Sequence, residues 1–121
     1  MPTRDLKFAK DKRLRRRADF ARMRAEAQMY RGTLMSIGVA PNSDTTGFRA
    51  GFITSRKIGN AVQRNRVRRR LREIVRINQT ALRPGVWLVT IAQTAAARAS
   101  YRALEDEWLR LAKRASILAR S

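Results

Sequence analysis

The side chains best suited to chemistry are arginines that crowd into one short segment. Seven arginines and a single acid, Glu73, fall between Arg64 and Arg76. A guanidinium group forks two hydrogen bonds to a phosphate and stacks on bases, so this composition favours binding of a polyanion. Like charges one helical turn apart destabilise a helix that has no counter-anion. The segment therefore indicates an anionic partner rather than a merely solvated basic face.

Helical spacing divides this segment into two faces. The spacing predicts a helix over residues 61–78, with Asn60 as its N-cap. Its apolar stripe comprises Val67, Leu71, Ile74 and Val75. The opposite face carries Asn65, Arg68, Arg69, Arg72 and Arg76, with Arg64 and Arg66 on its flanks. A packed helix of this kind presents guanidinium groups at intervals of about 5–6 Å, commensurate with a phosphate backbone.

The charge of the whole chain agrees with a nucleic-acid partner. The 121 residues include 28 Lys and Arg against 9 Asp and Glu, which gives a net charge of +19. Self-repulsion at that charge disfavours a compact state, and phosphates relieve it with release of counterions. Because 44% of the residues are hydrophobic, the chain is no disordered basic tail. We expect a mobile basic arm over residues 1–12, one RNA-binding domain over 13–117 and a tail over 118–121.

The absent residue types restrict the chemistry further. The chain has no histidine and no cysteine, which removes the usual near-neutral acid–base group, zinc fingers and thiol nucleophiles. The acidic run Glu105-Asp106-Glu107 does not predict a metal site, because adjacent helical side chains do not converge on one ion. We expect no catalytic residue, no bound metal and no cofactor in the protein itself. Without an apolar run of signal or membrane length, we expect a cytoplasmic protein without membrane contact.

The remaining patterns predict an α+β fold. We expect helices over 18–29, 61–78 and 100–114, and strands over 33–40, 48–54 and 86–92. The first two strands resemble an antiparallel hairpin with a long turn, and the nearly all-apolar third strand is typical of burial on both faces. Trp87 and Trp108 each lie within an apolar pattern, which indicates core positions. The order predicts a small mixed sheet covered by helices in a two-layer sandwich.

The basic helix and the turn before it also resemble a known signature. Residues 55–62 read Ser-Arg-Lys-Ile-Gly-Asn-Ala-Val, Arg64-Asn65-Arg66 follows, and residues 69–73 read Arg-Arg-Leu-Arg-Glu. This run resembles the signature of the bacterial ribonuclease P protein family, in glycine and apolar positions as well as in charges. Weaker similarities lie at residues 14–20, 86–92 and 101–115, so that the resemblance covers about residues 13–117.

The resemblance implies a role and a set of contacts. The protein would join a catalytic RNA that removes the 5′ leader from precursor transfer RNA, with Mg²⁺ held by the RNA and no protein partner evident. Contacts to the catalytic RNA would come from Arg56, Lys57, Asn60, Arg64, Asn65, Arg66, Arg68, Arg69 and Arg72. Phe20, Arg24 and Ser55 would lie at the leader cleft. The fold implied has a left-handed crossover through the basic helix, as in a small-subunit ribosomal protein.

Some positions depart from the family pattern. Arg24 stands where the family often has a second aromatic, and Gln93 stands where an arginine often follows the apolar strand. Phe20 is also compatible with a core role for the first helix. Two other functions remain open from the residues alone: a structural RNA-binding module, and a DNA-binding protein that uses residues 61–78. A nuclease that works without RNA is disfavoured by the missing histidines and clustered carboxylates.

Overall fold

A computed structural model describes Leu14 and residues 17–41 and 48–118 of the chain. The helices are α1 (Arg17–Glu26), α2 (Ala61–Ile77) and α3 (Tyr101–Arg114). The strands are β1 (Gln28–Arg31), β2 (Met35–Pro41), β3 (Phe48–Ile53) and β4 (Val86–Ala92). Among the described residues, three short 3-10 helices lie in the connections: Arg56–Ile58, Gln79–Ala81 and Thr94–Arg98. The predicted α+β class is confirmed, whereas the predicted arm and most of the predicted tail lie outside the described residues.

The four strands form one mixed sheet in the order β1-β2-β4-β3. The central strand β4 pairs antiparallel with β2 and parallel with β3. The predicted hairpin of β2 and β3 is therefore wrong, because β4 lies between them. A strand with apolar residues on both faces is best covered at the centre of a sheet, and β4 has that composition. The predicted turn between β2 and β3 falls largely on residues 42–47, outside the described residues.

The first helix is shorter than the sequence predicts. It ends at Glu26, and residues that continue its helical spacing form β1 instead. This strand pairs antiparallel with β2, from Gln28 opposite Val39 to Arg31 opposite Ser36. Residues 28–31 thus form backbone hydrogen bonds with β2 instead of a last turn of α1. This pairing depends on a distant part of the chain, so helical spacing does not predict it.

The main core lies between the sheet and the pair α2 and α3. The predicted stripe of α2 is wholly buried there, with Val67, Leu71, Ile74 and Val75 at most 1% exposed. Trp108 of α3 is also buried, and its indole N–H donates to the Thr90 hydroxyl on β4 at 3.2 Å. These positions confirm the predicted core faces of both helices. The described residues contain no helix that is long and apolar enough to cross a membrane.

Helix α1 covers part of the opposite sheet face. Met23 of α1 packs there with Leu14, Ala40, Trp87 and Val89. Trp87 is 6% exposed, which confirms its predicted core position. Leu14 also donates its backbone N–H to the carbonyl of Ala50 at 2.8 Å, so the start of the domain lies along the outer edge of β3. The sheet therefore separates α1 from the two longer helices, and α2 is the connection between the parallel strands β3 and β4. The handedness of that connection stays a prediction.

Candidate nucleic-acid interface

The basic helix α2 begins with a complete capping box. The side chain of Asn60 accepts from the backbone N–H of Gln63 at 2.9 Å, and the Gln63 amide oxygen accepts from the N–H of Asn60 at 2.9 Å. Gly59, just before the cap, has φ +148°. A Cβ atom at this position would overlap the Gln63 side chain. Glycine is therefore required here by backbone conformation and by space, and the predicted N-cap is confirmed.

The outer face of α2 carries the side chains that the sequence places there. Asn65, Arg66 and Arg69 are exposed, whereas Arg68 and Arg72 are half-buried. A shallow groove of about 450 Å³ runs along this face, lined by Asn65, Arg68, Arg69, Arg72, Glu73 and Arg76. The predicted row of guanidinium groups is thus brought together on one surface, and the buried stripe of the helix holds that surface against the core.

The arginines of α2 fall into two kinds. Arg64 donates to the carbonyl of Gly59 at 2.9 Å, Arg68 to the hydroxyl of Thr54 at 2.6 Å and Arg70 to the carbonyl of Ala99 at 3.1 Å. These three guanidinium groups are held in place and still keep unused donors, because each has five N–H groups. Arg66 and Arg69 make no recorded hydrogen bond or ion pair to any described residue. The face therefore combines arginines that are held by hydrogen bonds with arginines that are exposed.

The single acid of the segment is bound to an arginine of the same face. Glu73 accepts from Arg76 through both carboxylate oxygens, at 2.9 Å and 2.5 Å. This hydrogen bonding holds the pKa of Glu73 below its ordinary value of 4.5, against an opposing effect of partial burial. Both side chains are partly exposed, so the pair contributes little to stability. Its consequence is a local reduction of the repulsion among the arginines at the end of the face.

The turn before α2 adds exposed cations to the beginning of the face. Ser55, Arg56 and Lys57 are all exposed, and Ile58 is buried in the main core. The 3-10 helix Arg56–Ile58 thus fixes the two basic side chains between the end of β3 and the start of α2. Sequence-predicted RNA contacts on the turn and on the helix are therefore adjacent in the fold.

The three predicted cleft residues lie in different surroundings. Phe20 is half-buried over β3, where its ring atoms lie 2.9 Å from the position that a Cβ atom on Gly51 would take. Arg24 is exposed on α1, and Ser55 is exposed beyond the end of β3. Phe20 also packs against the cluster around Met23. The structure therefore places Phe20 on the sheet face under α1, with part of its surface accessible.

Sequence reasoning missed two arginines on that same face. The guanidinium carbons of Arg22 and Arg49 lie 4.8 Å and 5.5 Å from the ring centroid of Trp87. Arg22 also forms an ion pair with Glu26 at 3.2 Å. The alternation of side chains along β3 could have predicted that Arg49 and Ala50 lie on opposite faces of the sheet. No sequence motif, however, links Arg22 with Trp87. These contacts surround the buried indole with positive charge.

The acidic run of α3 contains one buried carboxylate that has a structural role. Glu107 is 4% exposed and accepts hydrogen bonds from the turn before β2, whereas Asp106 is exposed. Within the described part of the chain, no three His, Cys, Asp or Glu side chains form a group that could hold a metal ion. Adjacent acids on a helix point in different directions, which accounts for their separate environments.

The chain is similar in sequence to proteins of a known family. A sequence model of the family described as Ribonuclease P matches residues 8–116. The ribonuclease P protein component of a Pseudanabaena species is 38% identical over 107 residues, which cover 88% of this chain and 92% of that protein. The component from Chloroflexus aggregans is 39% identical over 107 residues, which cover 88% of this chain and 78% of that protein.

Solved structures give the same comparison at the level of the fold. A mutant RNase P protein of Staphylococcus aureus, described as defective in mRNA degradation activity, has a TM-score of 0.85 and 25% identity. The match covers 90% of this chain and 92% of that one. The RNase P protein of Thermotoga maritima has a TM-score of 0.77 and 28% identity, and the match covers 84% of this chain and 96% of that one.

Proposed function

Because the chain belongs to the ribonuclease P protein family and is a protein subunit of that endonuclease in tRNA 5′ processing, we propose how it holds its two RNAs. The outer face of α2 binds the catalytic RNA, and the sheet face under α1 binds the 5′ leader of precursor transfer RNA. The observation that carries the first assignment is the arginine row of α2, with Arg64 and Arg68 held by hydrogen bonds to neighbouring elements.

Preorganisation explains why this face suits a folded RNA. A free arginine loses rotamer freedom when it binds a phosphate, at a cost of about 1–2 kcal/mol. Arg64 and Arg68 are already oriented by Gly59 and Thr54, so less of that freedom is lost on binding. Arg66 and Arg69 are exposed and can adapt to the shape of the partner. The proposed contacts also include Arg56, Lys57, Asn60, Asn65 and Arg72. Asn60 would contribute through its NH₂ group, because the capping box occupies only the amide oxygen.

The proposed leader site uses different chemistry. The partly exposed ring of Phe20 offers a face on which an unpaired base can stack, a contact of about 1–3 kcal/mol. Arg24 and Ser55 are the accompanying polar side chains in this proposal. Arg22 and Arg49 add positive charge around Trp87 on the same side of the sheet, which favours an approaching phosphate strand. The site would recognise a single strand by stacking and charge rather than by base edges.

The proposed division of labour leaves the chemical step to the RNA. The protein would position the catalytic RNA and the leader, and its own side chains would supply no nucleophile. Mg²⁺ would be held by RNA phosphates, where it would activate water for attack at the scissile phosphate. We propose the cytoplasm as the place where this holoenzyme acts on precursor transfer RNA.

A reconstitution experiment tests the proposal directly. Cleavage of a precursor transfer RNA is measured at low Mg²⁺ with the protein alone, with bacterial ribonuclease P RNA alone, and with both. We expect cleavage at the mature 5′ end only in the combined reaction. Cleavage by the protein alone would show that the catalytic groups belong to the protein and not to the RNA. Tight RNA binding without stimulation would instead favour a structural RNA-binding module.

A variant of the arginine face tests where the catalytic RNA binds. Replacement of Arg64, Arg66 and Arg69 by alanine should weaken RNA binding and flatten its salt dependence by about 2–3 units in the logarithmic slope. The matched control replaces three arginines outside α2, Arg31, Arg83 and Arg114, and removes the same charge. An unchanged slope in the first variant, or equal slopes in both, would show that α2 is not the specific surface.

A further inference from the structure

A second basic groove lies on the other flank of α2. It is bounded by the 3-10 helix Arg56–Ile58, the first turn of α2 and the 3-10 helix Thr94–Arg98, and its volume is about 520 Å³. Its polar lining side chains are Lys57, Gln63, Thr94 and Arg98. Residues 94–98 belong neither to the family signature within residues 55–73 nor to the proposed leader site.

The walls of this groove are anchored to the main core. Ile58 is 5% exposed and Ala96 is fully buried, and both pack in the core cluster beneath α2. The two 3-10 helices also contact each other. Because each wall has a buried anchor, the groove is a fixed feature of the fold and not a gap between loops that can close.

The lining side chains are suited to an anion. Lys57 and Arg98 are both exposed, and none of the described residues that line the groove carries a carboxylate. Two cations brought together from distant parts of the chain repel each other unless an anion lies between them. The Gln63 amide oxygen already accepts from Asn60, which leaves the NH₂ group as the available part of that side chain. Thr94 is exposed, and its hydroxyl can serve as a further donor.

The groove continues the arginine face of α2 instead of the face under α1. Arg70 donates to the carbonyl of Ala99, just after the 94–98 segment, and Arg66 lies one turn earlier on the same flank. A basic surface thus runs from the outer face of α2 over these two arginines to Arg98. Phe20 packs on the opposite side of the sheet, in a different core cluster from Ile58 and Ala96. Continuity of charge therefore favours the RNA bound on α2 over the leader strand.

We infer that this groove binds backbone phosphates of a second segment of the catalytic RNA. Lys57 and Arg98 bind the phosphates by charge, and Thr94 and Gln63 donate hydrogen bonds to phosphate or ribose oxygens. The inference rests on the proposed function and extends it, because it makes α2 a ridge with catalytic RNA on two sides. It assigns a role to Arg98, which lies outside the basic helix.

The first test measures catalytic-RNA binding by Arg98→Ala, Arg98→Lys and the matched control Arg114→Ala. Arg98→Ala should lower affinity for ribonuclease P RNA between about threefold and tenfold and reduce the logarithmic salt slope by about 0.7–0.9. Arg98→Lys should recover most of the slope, because it restores the charge. Arg114→Ala should leave both quantities near those of the unaltered protein. An Arg98→Ala variant that behaves like Arg114→Ala overturns the inference.

A second arm of this test separates the two possible RNA sources. Each variant is assembled with ribonuclease P RNA at saturating protein, and the affinity of the holoenzyme for precursor transfer RNA is measured. We expect Arg98→Ala to leave that affinity unchanged. A loss of precursor affinity with unchanged catalytic-RNA binding would place the substrate in the groove and overturn the inference.

A third test maps the bound strand. The chain has no cysteine, so a single Ala95→Cys variant can carry a tethered hydroxyl-radical probe at the exposed edge of the groove. We expect strand cleavage in ribonuclease P RNA at a segment different from the one cut from Val62→Cys on the outer part of α2. A probe at Asp106→Cys, exposed on α3, supplies the background. Cleavage no stronger than this background would overturn the inference. The reconstitution experiment is independent of these tests. If the protein stimulates cleavage but the groove variants have no effect on RNA binding, the proposed function holds and only this inference fails.

Discussion

Glu107 of α3 accepts a hydrogen bond of 2.6 Å from the backbone N–H of Leu34, which lies in the turn between β1 and β2. The same carboxylate accepts from the N–H of Met35 at 2.9 Å, the N–H of Thr33 at 3.3 Å and the Thr33 hydroxyl at 3.0 Å. A Cβ atom on Gly32 would lie 2.6 Å from a carboxylate oxygen, so only glycine permits this approach. One acid thus satisfies three backbone donors and fastens β1 and β2 to α3.

Replacement of this acid should be strongly destabilising. In Glu107→Gln an NH₂ group takes the place of one acceptor oxygen and faces backbone donors inside the protein. We expect the free energy of unfolding to fall by about 2–4 kcal/mol, measured by urea denaturation. Asp106→Asn is the matched control on the exposed side of α3 and should change it by less than about 0.5 kcal/mol. Equal effects of the two changes would contradict the anchoring role of Glu107.

Phe20 offers a prediction that separates packing from recognition. Phe20→Leu keeps apolar bulk over Gly51 and removes the aromatic face. We expect the holoenzyme to bind leader-containing precursor about 5-fold to 150-fold more weakly, the range that loss of one base–aromatic stack implies. Binding of mature transfer RNA should be unchanged, and thermal unfolding of the variant serves as the folding control. Equal losses for both RNAs would make Phe20 a core residue only.

Gly51 allows a change at the same site without removing the aromatic ring. In Gly51→Ala the new methyl group would contact the Phe20 ring near 2.9 Å and Leu14 near 3.1 Å, so the ring must move away from β3. We expect weaker precursor binding with little change in catalytic-RNA binding, measured on the assembled holoenzyme. Ala50→Gly, on the opposite face of β3, is the control for general damage to that strand. A loss of catalytic-RNA affinity as large as the loss of precursor affinity would contradict the separation of the two surfaces.

The basic helix could be predicted in detail because its signals are local. Its N-cap at Asn60, its buried stripe at Val67 and Leu71 and its exposed arginines all follow from spacing within one element. The order of strands could not be predicted in the same way. The central place of β4 depends on pairing with β2 and β3 at once, and a turn-rich connection favours the simpler hairpin when only the sequence is considered.

The features that the sequence did not predict depend on long-range contacts. Arg22 and Arg49 converge on Trp87 from a helix and a strand, and each resembles an ordinary surface arginine in its own segment. Glu107 belongs to an acidic run whose neighbours are more exposed, and only the turn before β2 explains its burial. Patterns within one element identify faces, whereas partners across the sheet require the assembled fold.

The Glu73–Arg76 pair predicts a small pH dependence of stability. Hydrogen bonding from Arg76 lowers the pKa of Glu73 in the folded protein. The contribution is therefore present above the ordinary pKa of about 4.5 and is lost as pH falls through the folded value. Glu73→Gln should lower the free energy of unfolding by up to about 0.5 kcal/mol near neutral pH. The difference from the unaltered protein should shrink as the pH falls through the folded-state pKa of Glu73, as measured by urea denaturation. A difference that grows toward acid pH would contradict the sign of this linkage.

Arg68 and Arg69 are neighbours on the same face and should behave differently. Arg68 donates to the buried Thr54 hydroxyl at 2.6 Å, so Arg68→Ala should reduce both the free energy of unfolding, by about 1–2 kcal/mol, and catalytic-RNA affinity. Arg69 is exposed and makes no recorded hydrogen bond to a described residue, so Arg69→Ala should reduce RNA affinity alone. Urea denaturation and RNA titration of both variants give the comparison.

Thr54→Val tests the hydrogen bond between Arg68 and Thr54 by itself, because it should lower stability and partly release Arg68 while every cation remains. If Thr54→Val weakens RNA binding at unchanged charge, orientation of Arg68 contributes to affinity beyond its charge. If it does not, the row acts through charge alone and the preorganisation argument fails.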